Sequence, residues 1–421
     1  MKLTLREKVM LVVIIVLALA LATSLFYIAN LIGKEEPKPA QQPQSIQAMR
    51  RRIVIWTCWE EGGDAWSALQ DVTGSYAKEL DVNITIEYVP LDEYKYRLFK
   101  SVQHGEGPDV FIAPHEWLLE LAKSGLLIPI NVTGVEEEFP ANILEAVRWE
   151  GEIYALPLKI EVPALIVNTE LVETPPKTLE DILENRLGVK KGVYPLVYPV
   201  DNAFLSSGWF YGLGAYYYDP NTGNTKIDSV EGEKVLQLLI DLANAMPKDV
   251  NARTAIKLFA EGKAGMTLGS PWTINMLKNC MKDLSAIEVA PIPSYLGEKA
   301  RPLMCLEVVY ISTLAKKKGL AEEATEIAKH MATKGSLSIA DKARVVIAWR
   351  KAYEEGPLAQ DKILSGFYEQ ALSAVPAPPT EKISEVLCIV NNYIRLAING
   401  QVPVKEALDK CADEIRALGA S

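Results

Sequence analysis

The side chains best placed to do chemistry in this sequence are carboxylates and indoles that interrupt otherwise apolar or small-residue stretches. Glu161 sits inside the extended run Pro157 to Val167; a charge in such a strand needs a partner or a wet cleft. Glu307 interrupts Met304-Cys-Leu-Glu307-Val, where it reads equally as a cleft acid and as a strand-end surface charge. Glu60 and Glu61 follow the apolar strand Ile53-Val54-Ile55-Trp56 and precede the break at Gly62-Gly63. Trp272 follows Gly269-Ser270-Pro271, which leaves no bulk beside the ring, so the indole can stand as a stacking platform. Carboxylates that accept from hydroxyls, with rings that cover C–H faces, are suited to holding a polar solute. Metal and nucleophile chemistry finds little support. Three His and five Cys are present, no Cys pair has CxxC spacing, and no metal site or cofactor is expected. His115 reads as a capping or packing residue. G-x-S-x-G, HExxH, P-loop and GxGxxG patterns do not occur in a workable context. Disulfides Cys280–Cys305 and Cys388–Cys411 stand open beside the alternative of free thiols, and one Cys is odd in either case.

These groups need elements to aim them. Asp64 to Leu80 has apolar residues at helical spacing. Asn83 to Val89 alternates as a strand, Tyr94 to Val102 reads as a helix, and Asp109 to Ile112 reads as a third strand after the Gly107-Pro108 turn. Trp117 to Ser124 reads as a helix stopped by Gly125. This β-α-β-α-β order predicts a parallel sheet covered by helices. Ala164 to Val167 reads as a strand leaving one lobe for another, and Pro302 to Thr313 as the return. Thr178 is a helix cap, with Glu180 and Asp181 in the positive first turn. Ile383 to Ile398 and Val404 to Leu418 are amphipathic helices. A chain of 421 residues exceeds a single core, which predicts two lobes.

The formal net charge of -10 argues against a nucleic-acid partner, which calls for clustered Lys and Arg. At the N-terminus, Lys2, Arg6 and Lys8 precede an uncharged run from Val9 to Ile32. Such a run is long enough for a membrane-spanning helix, which takes about 20 residues, and exceeds the roughly 7–15 apolar residues of a cleavable leader. The basic flank puts everything after Ile32 outside the cell membrane, in a single-pass arrangement. Residues 1–32 are therefore expected to be an anchor or signal sequence, and the Pro- and Gln-rich residues 33–50 a linker.

A series of short motifs then carries a resemblance. In order they are Ile53-Val54-Ile55-Trp56 with Glu60-Glu61, Gly107-Pro108-Asp109-Val110, Ser124-Gly125-Leu126-Leu127, and Ile153-Tyr154-Ala155-Leu156-Pro157 with Glu161. Asn168 leading to Pro175-Pro176-Lys177-Thr178 follows, then Phe259 to Met266, Gly269-Ser270-Pro271-Trp272, Val289 to Pro293, and Ile398-Asn399-Gly400 leading to Ala407-Leu408. Together they resemble the maltose-binding-protein-like extracellular solute-binding proteins (family 1) of ATP-driven (ABC) importers, over the chain from Arg51 onward.

The resemblance implies a two-lobed α/β periplasmic-binding-protein-like fold (type II), each lobe a helix-covered sheet, joined by a multi-strand hinge after an N-terminal transmembrane helix. Residues 51–160 and 309–356 would form the first lobe, and 161–308 and 357–421 the second. It also implies a carrier, not an enzyme: a substrate-binding component that captures a carbohydrate, a short oligosaccharide, by lobe closure and delivers it to permease subunits. The resemblance places Glu60, Glu61, Glu116, Glu161 and Trp272 at ligand-binding positions, with Asp201, Asn202 and Phe204 near another and Trp117 beside Glu116; Glu307, read from its own strand, is a further candidate ligand-binding acid near the hinge. Where the family's maltose-binding pattern has a lysine, an arginine, a tyrosine and a tryptophan, this chain has Glu61, Trp117, Ala252 and Glu385. Fewer rings and more acids point to a smaller or more polar ligand. The competing readings are the same fold holding a polyamine, peptide or other small polar solute, and a membrane-anchored glycoside hydrolase.

Overall fold

The computed structural model describes residues 51–184, 186–187 and 189–420. The expected N-terminal anchor and linker lie outside these residues. Among the described residues no helix is long and apolar enough to cross a membrane.

The strands in chain order are β1 (Arg52–Thr57), β2 (Asn83–Tyr88), β3 (Val110–Pro114), β4 (Arg148–Trp149), β5 (Glu152–Ile153), β6 (Ala155–Glu161), β7 (Ala164–Asn168), β8 (Tyr194–Leu196), β9 (Ala264–Gly269), β10 (Ile287–Ala290), β11 (Leu303–Ile311), β12 (Val346–Ile347) and β13 (Val375–Pro376). They build two principal sheets. The first is seven-stranded, in the order β12-β6-β11-β3-β1-β2, with β13 pairing on β11. The second is four-stranded, in the order β10-β7-β9-β8. β4 and β5 form a separate hairpin.

The first sheet begins as two β-α-β units. β1 pairs in parallel with both β2 and β3. The crossover helix Asp64–Leu80 buries Trp66, Ala68, Leu69 and Val72 and leaves its other face in water, as its 3.6-residue pattern requires. It ends on Asp81 in the left-handed conformation. A second crossover helix, Leu91–Gln103, buries Tyr94, Leu98 and Val102. β11 then adds antiparallel to β3, and β6 adds antiparallel to β11, so the sheet is mixed and not wholly parallel.

The second sheet has its own core around Leu165, Val167, Tyr198, Trp209, Phe210, Tyr217, Met266 and Leu268. Its helices start with real caps. Thr178 forms a capping box with Asp181, Asn202 accepts from the amide of Leu205, and Ser229 accepts from the amide of Gly232.

The two sheets are not insulated from each other. Helix Leu364–Ser373 contributes Leu364, Phe367 and Tyr368 to the first core, where they meet Ile287 and Val289 of β10. It packs so closely on β10 that a Cβ at Gly366 would lie 2.0 Å from the carbonyl oxygen of Val289.

All five cysteines are free thiols, so neither possible pairing forms. Cys388 faces solvent while Cys411 is buried. Cys280 is exposed at the end of its helix, and Cys305 lies within the crossing strand β11.

Candidate functional site

Strand direction fixes where the site must lie. In the first lobe the chain leaves β1 at Thr57 and β3 at Pro114, both at the carboxyl edge of the parallel strands. β11 runs antiparallel to β3 with Glu307 opposite Pro114, so Leu303 to Glu307 also reach that edge. β6 runs antiparallel to β11 with Cys305 opposite Glu161, so β6 ends there as well. Three residues later β7 begins, with Ala164 opposite Gly269 at the carboxyl end of β9. β8 is parallel to β9, and its outgoing chain leads to Asp201 at the same edge. The carboxyl edges of both sheets therefore meet at the crossing Glu161–Ala164. That is where open α/β sheets bind ligands, because loops and helix N-termini converge there.

The floor of this junction is a polar network built on two crossing strands. The register of β11 on β6 shifts between Glu307 and Val308, which sets Glu307 directly opposite Lys159. Such a bulge re-aims the side chains around it. Lys159 and Glu161 lie two apart on one strand and so share a face. The Lys159 ammonium lies 3.0 Å from Oε1 of Glu307 and 3.3 Å from Oε1 of Glu161. Oε2 of Glu307 accepts from the Trp59 indole N–H at 2.8 Å. Ser270, in the second lobe, hydrogen-bonds the Glu161 carboxylate. These groups are accessible without being bare: Lys159 is 18% exposed, Glu307 23% and Glu161 26%. Burial works against the charge on Lys159, but Glu307 and then Glu161 more than reverse it and hold its pKa above the ordinary lysine value. Burial also raises the pKa of Glu161, and the charge of Lys159 only partly offsets it.

Beneath the floor the packing is tight. The Cys58 thiol is pushed up to about 11, first by burial and then by the nearby Glu307 charge. Tyr94 is fully buried and its hydroxyl has no hydrogen-bond partner. Beside it lies a second ionisable cluster. Nδ1 of the fully buried His115 is 3.1 Å from Oε2 of Glu116, and its Nε2 is 2.9 Å from the carbonyl of Ala377. Leu306 donates its amide to the same ring. Burial disfavours charge on both partners, yet each supports the other: His115 is raised and Glu116 lowered from their ordinary values. The Cys305 thiol hydrogen-bonds Glu116 and is itself raised, first by burial and then by that carboxylate.

Trp272 lies just past the carboxyl end of β9, on the second-lobe side of the crossing. Gly269 ends β9 in a turn so close that a Cβ there would lie 2.5 Å from Oγ1 of Thr273. Thr273 in turn accepts the Ser270 amide at 3.1 Å, and Pro271 starts helix Pro271–Cys280. This compact start leaves the Trp272 ring 60% exposed, unlike every other tryptophan among the described residues that is assigned to a core.

The expected ligand positions separate into groups. Glu161, Glu307 and Trp272 converge on the junction, with Glu116 14% exposed beside them. Glu60 and Glu61 lie at the same edge on the loop after β1, open to solvent. Trp117 is 8% exposed, its ring tilted against Tyr94 at 5.7 Å within the first core. Phe204 packs half-buried against the second core, and the Asn202 side chain is committed to its cap. Asp201 reaches Arg395 at 4.0 Å and lines a separate cavity of about 390 Å³ with Tyr198 and Lys248.

Two participants were missed from sequence. Lys159 was within reach, because it shares a strand face with Glu161. Trp59 was not, because only the fold shows that the residue after Cys58 comes level with Glu307.

Comparison with known proteins identifies the family and the fold. The family described as bacterial extracellular solute-binding protein matches residues 59–336. A maltotriose-binding protein of Pyrococcus abyssi (strain GE5 / Orsay) is 29% identical over 283 residues, covering 64% of this chain and 60% of that protein. A galactooligosaccharide-binding protein of Bacillus subtilis (strain 168) is 21% identical over 398 residues, covering 90% of this chain and 91% of that protein. The crystal structure of a cyclo/maltodextrin-binding protein complexed with maltotetraose superposes with a TM-score of 0.78 at 23% identity, over 87% of this chain and 96% of that one. That last likeness speaks to the fold alone: two α/β lobes of the periplasmic-binding-protein kind. With the family match spanning well over half its length, this chain belongs to the bacterial extracellular solute-binding proteins.

Proposed function

We propose that this chain is the solute-binding component of an ABC importer and captures a carbohydrate, a short oligosaccharide, between its lobes. The observation that carries the reading is Trp272, an exposed indole held by a tight turn at the same sheet edge where two carboxylates and one ammonium are ordered. A pyranose offers both kinds of surface these groups need. Its C–H face can lie on the indole, and its edge hydroxyls can accept from Lys159 and donate to Glu161. Relatives named for maltotriose, maltodextrin and galactooligosaccharide binding support the substrate class. Glu60, Glu61 and Glu116 lie at the same edge and are the further contacts we assign to the ligand. A guest touching both sides favours the closed arrangement, and the shift is set by its differential affinity for the two states.

Delivery goes to the membrane subunits of the importer. We read residues 9–32 as a retained helix that keeps the folded part on the outer side of the membrane. Alkaline carbonate extraction of membranes tests this: the protein stays with the lipid if anchored and washes off if it is not.

The carbohydrate reading is tested by thermal unfolding with maltotriose, galactooligosaccharides and spermidine. At a hundredfold excess over Kd, binding adds roughly 2.7 kcal/mol of stability, enough to move the transition. Stabilisation by a sugar is expected. Stabilisation by spermidine alone would contradict the reading, and release of shorter sugars from the incubation would make the protein a hydrolase.

A further inference from the structure

The floor of the cleft contains a charge arrangement that bears on which sugars enter it, and the inference rests on the carbohydrate reading above. Lys159 is the cation at its centre, and two carboxylates flank it at 3.0 and 3.3 Å. The two acids are not equivalent. Glu161 is held by Lys159 and by Ser270 of the second lobe, so it faces the space between the lobes. Glu307 has both oxygens occupied within the first lobe: Oε1 by Lys159 at 3.0 Å, and Oε2 by the Trp59 indole N–H at 2.8 Å. It has no need of a ligand hydroxyl. What it contributes to an incoming solute is a fixed negative charge beside the ammonium.

That charge changes what Lys159 can select. An ammonium has three donors, and here two of them point at carboxylates. The third can still donate to a neutral hydroxyl, which in turn can donate to Glu161. An anionic solute meets a different field. One lysine against two close carboxylates leaves the floor with a net charge of about -1, and Glu60 and Glu61 at the same edge add to it. Specificity of this type comes from a repulsive element built against the wrong ligand.

We propose that Glu307, clamped by Trp59 against Lys159, is a specificity-determining residue that excludes acidic sugars and reserves the cleft for neutral oligosaccharides. Trp59 is its positioning residue. Without Glu307, Lys159 retains one carboxylate partner and becomes available to the carboxylate of a uronic acid.

The test is isothermal titration of the full-length protein with maltotriose and with a trimer of galacturonic acid, reading the ratio of the two affinities. The wild type is expected to favour the neutral trimer. Glu307→Gln keeps an oxygen acceptor for Trp59 but removes the charge, and should lower that ratio by at least about tenfold. Trp59→Phe frees the carboxylate and should lower the ratio in the same direction by less. Adding Lys159→Met to Glu307→Gln should abolish the gained acid binding. Should Glu307→Gln fail to fold, Trp59→Phe decides. An unchanged ratio in the folded variants, or a wild type that prefers the acidic trimer, overturns the proposal while leaving the carbohydrate reading intact. A wild type that binds neither trimer overturns the proposal, and one that also binds no galactooligosaccharide removes the carbohydrate reading with it.

Discussion

The two sides of the cleft are built differently. On the first-lobe side and across the hinge, the central charged groups already have partners: Lys159 with Glu161 and Glu307, and Glu307 with Trp59. On the second-lobe side the main feature is a ring with most of its surface in water. The floor is therefore preorganised before a ligand arrives, and the opposite wall supplies apolar area that only a ligand can cover. An indole of this exposure has roughly 100 Å² left to bury, worth about 2–3 kcal/mol. The floor, with its donors and acceptors already oriented, sets which guest fits.

Removing Lys159 breaks this contrast most severely. Lys159→Met leaves Glu161 and Glu307 facing each other without a counter-ion. Breaking a buried pair costs about 3–5 kcal/mol, and these partly exposed groups belong at the low end of that range. Denaturant unfolding should show the loss. Next comes Trp272→Ala. It should weaken oligosaccharide binding by about 2 kcal/mol, roughly thirtyfold, while moving stability by no more than about 0.5 kcal/mol because the ring packs little at home. A large fall in melting temperature would show that Trp272 belongs to the core after all.

A smaller effect sharpens the contrast through pH. His115 is neutral or charged depending on pH, and its folded pKa is raised despite burial, chiefly by the Glu116 charge. The folded state therefore holds that proton more tightly than the unfolded one. The resulting stability is complete below the ordinary histidine pKa of about 6.5 and is lost as pH rises through the raised value. Wild type should lose stability across this window relative to His115→Gln, measured by thermal unfolding at each pH. The smallest expected change is at Tyr94, whose buried hydroxyl has no partner. Tyr94→Phe should be neutral or slightly stabilising, within about 1 kcal/mol, because it removes a desolvated group without breaking a bond. A clear destabilisation would reveal a bridging water beneath the floor.

Much of the frame was legible in the sequence because local patterning decides it. The helix expected over Asp64 to Leu80 forms over those residues, since its apolar spacing has a single consistent face. The strands around Ile53 and Ala164, the return through Glu307, and the Thr178 cap follow for similar reasons. The site was legible where an anomaly marked it. Glu161 stood out as a charge in an apolar run, and Trp272 as a ring among small residues. Residues in ordinary surroundings gave no such sign. Trp117 looks like a site residue by position, but it fills the space beside Tyr94 in the first core. Lys159 and Trp59 matter through partners about 148 and 248 residues away, and the register shift that aligns Glu307 with Lys159 has no local signature. Contacts of that kind are decided by sheet order, which local periodicity does not encode.

A structure of the protein bound to maltotriose tests the central claim most directly. We expect a pyranose ring stacked on Trp272, with hydroxyls within hydrogen-bond distance of Lys159 and Glu161. A sugar bound elsewhere, with the Trp272 indole bare and the Lys159 ammonium untouched, would contradict the account.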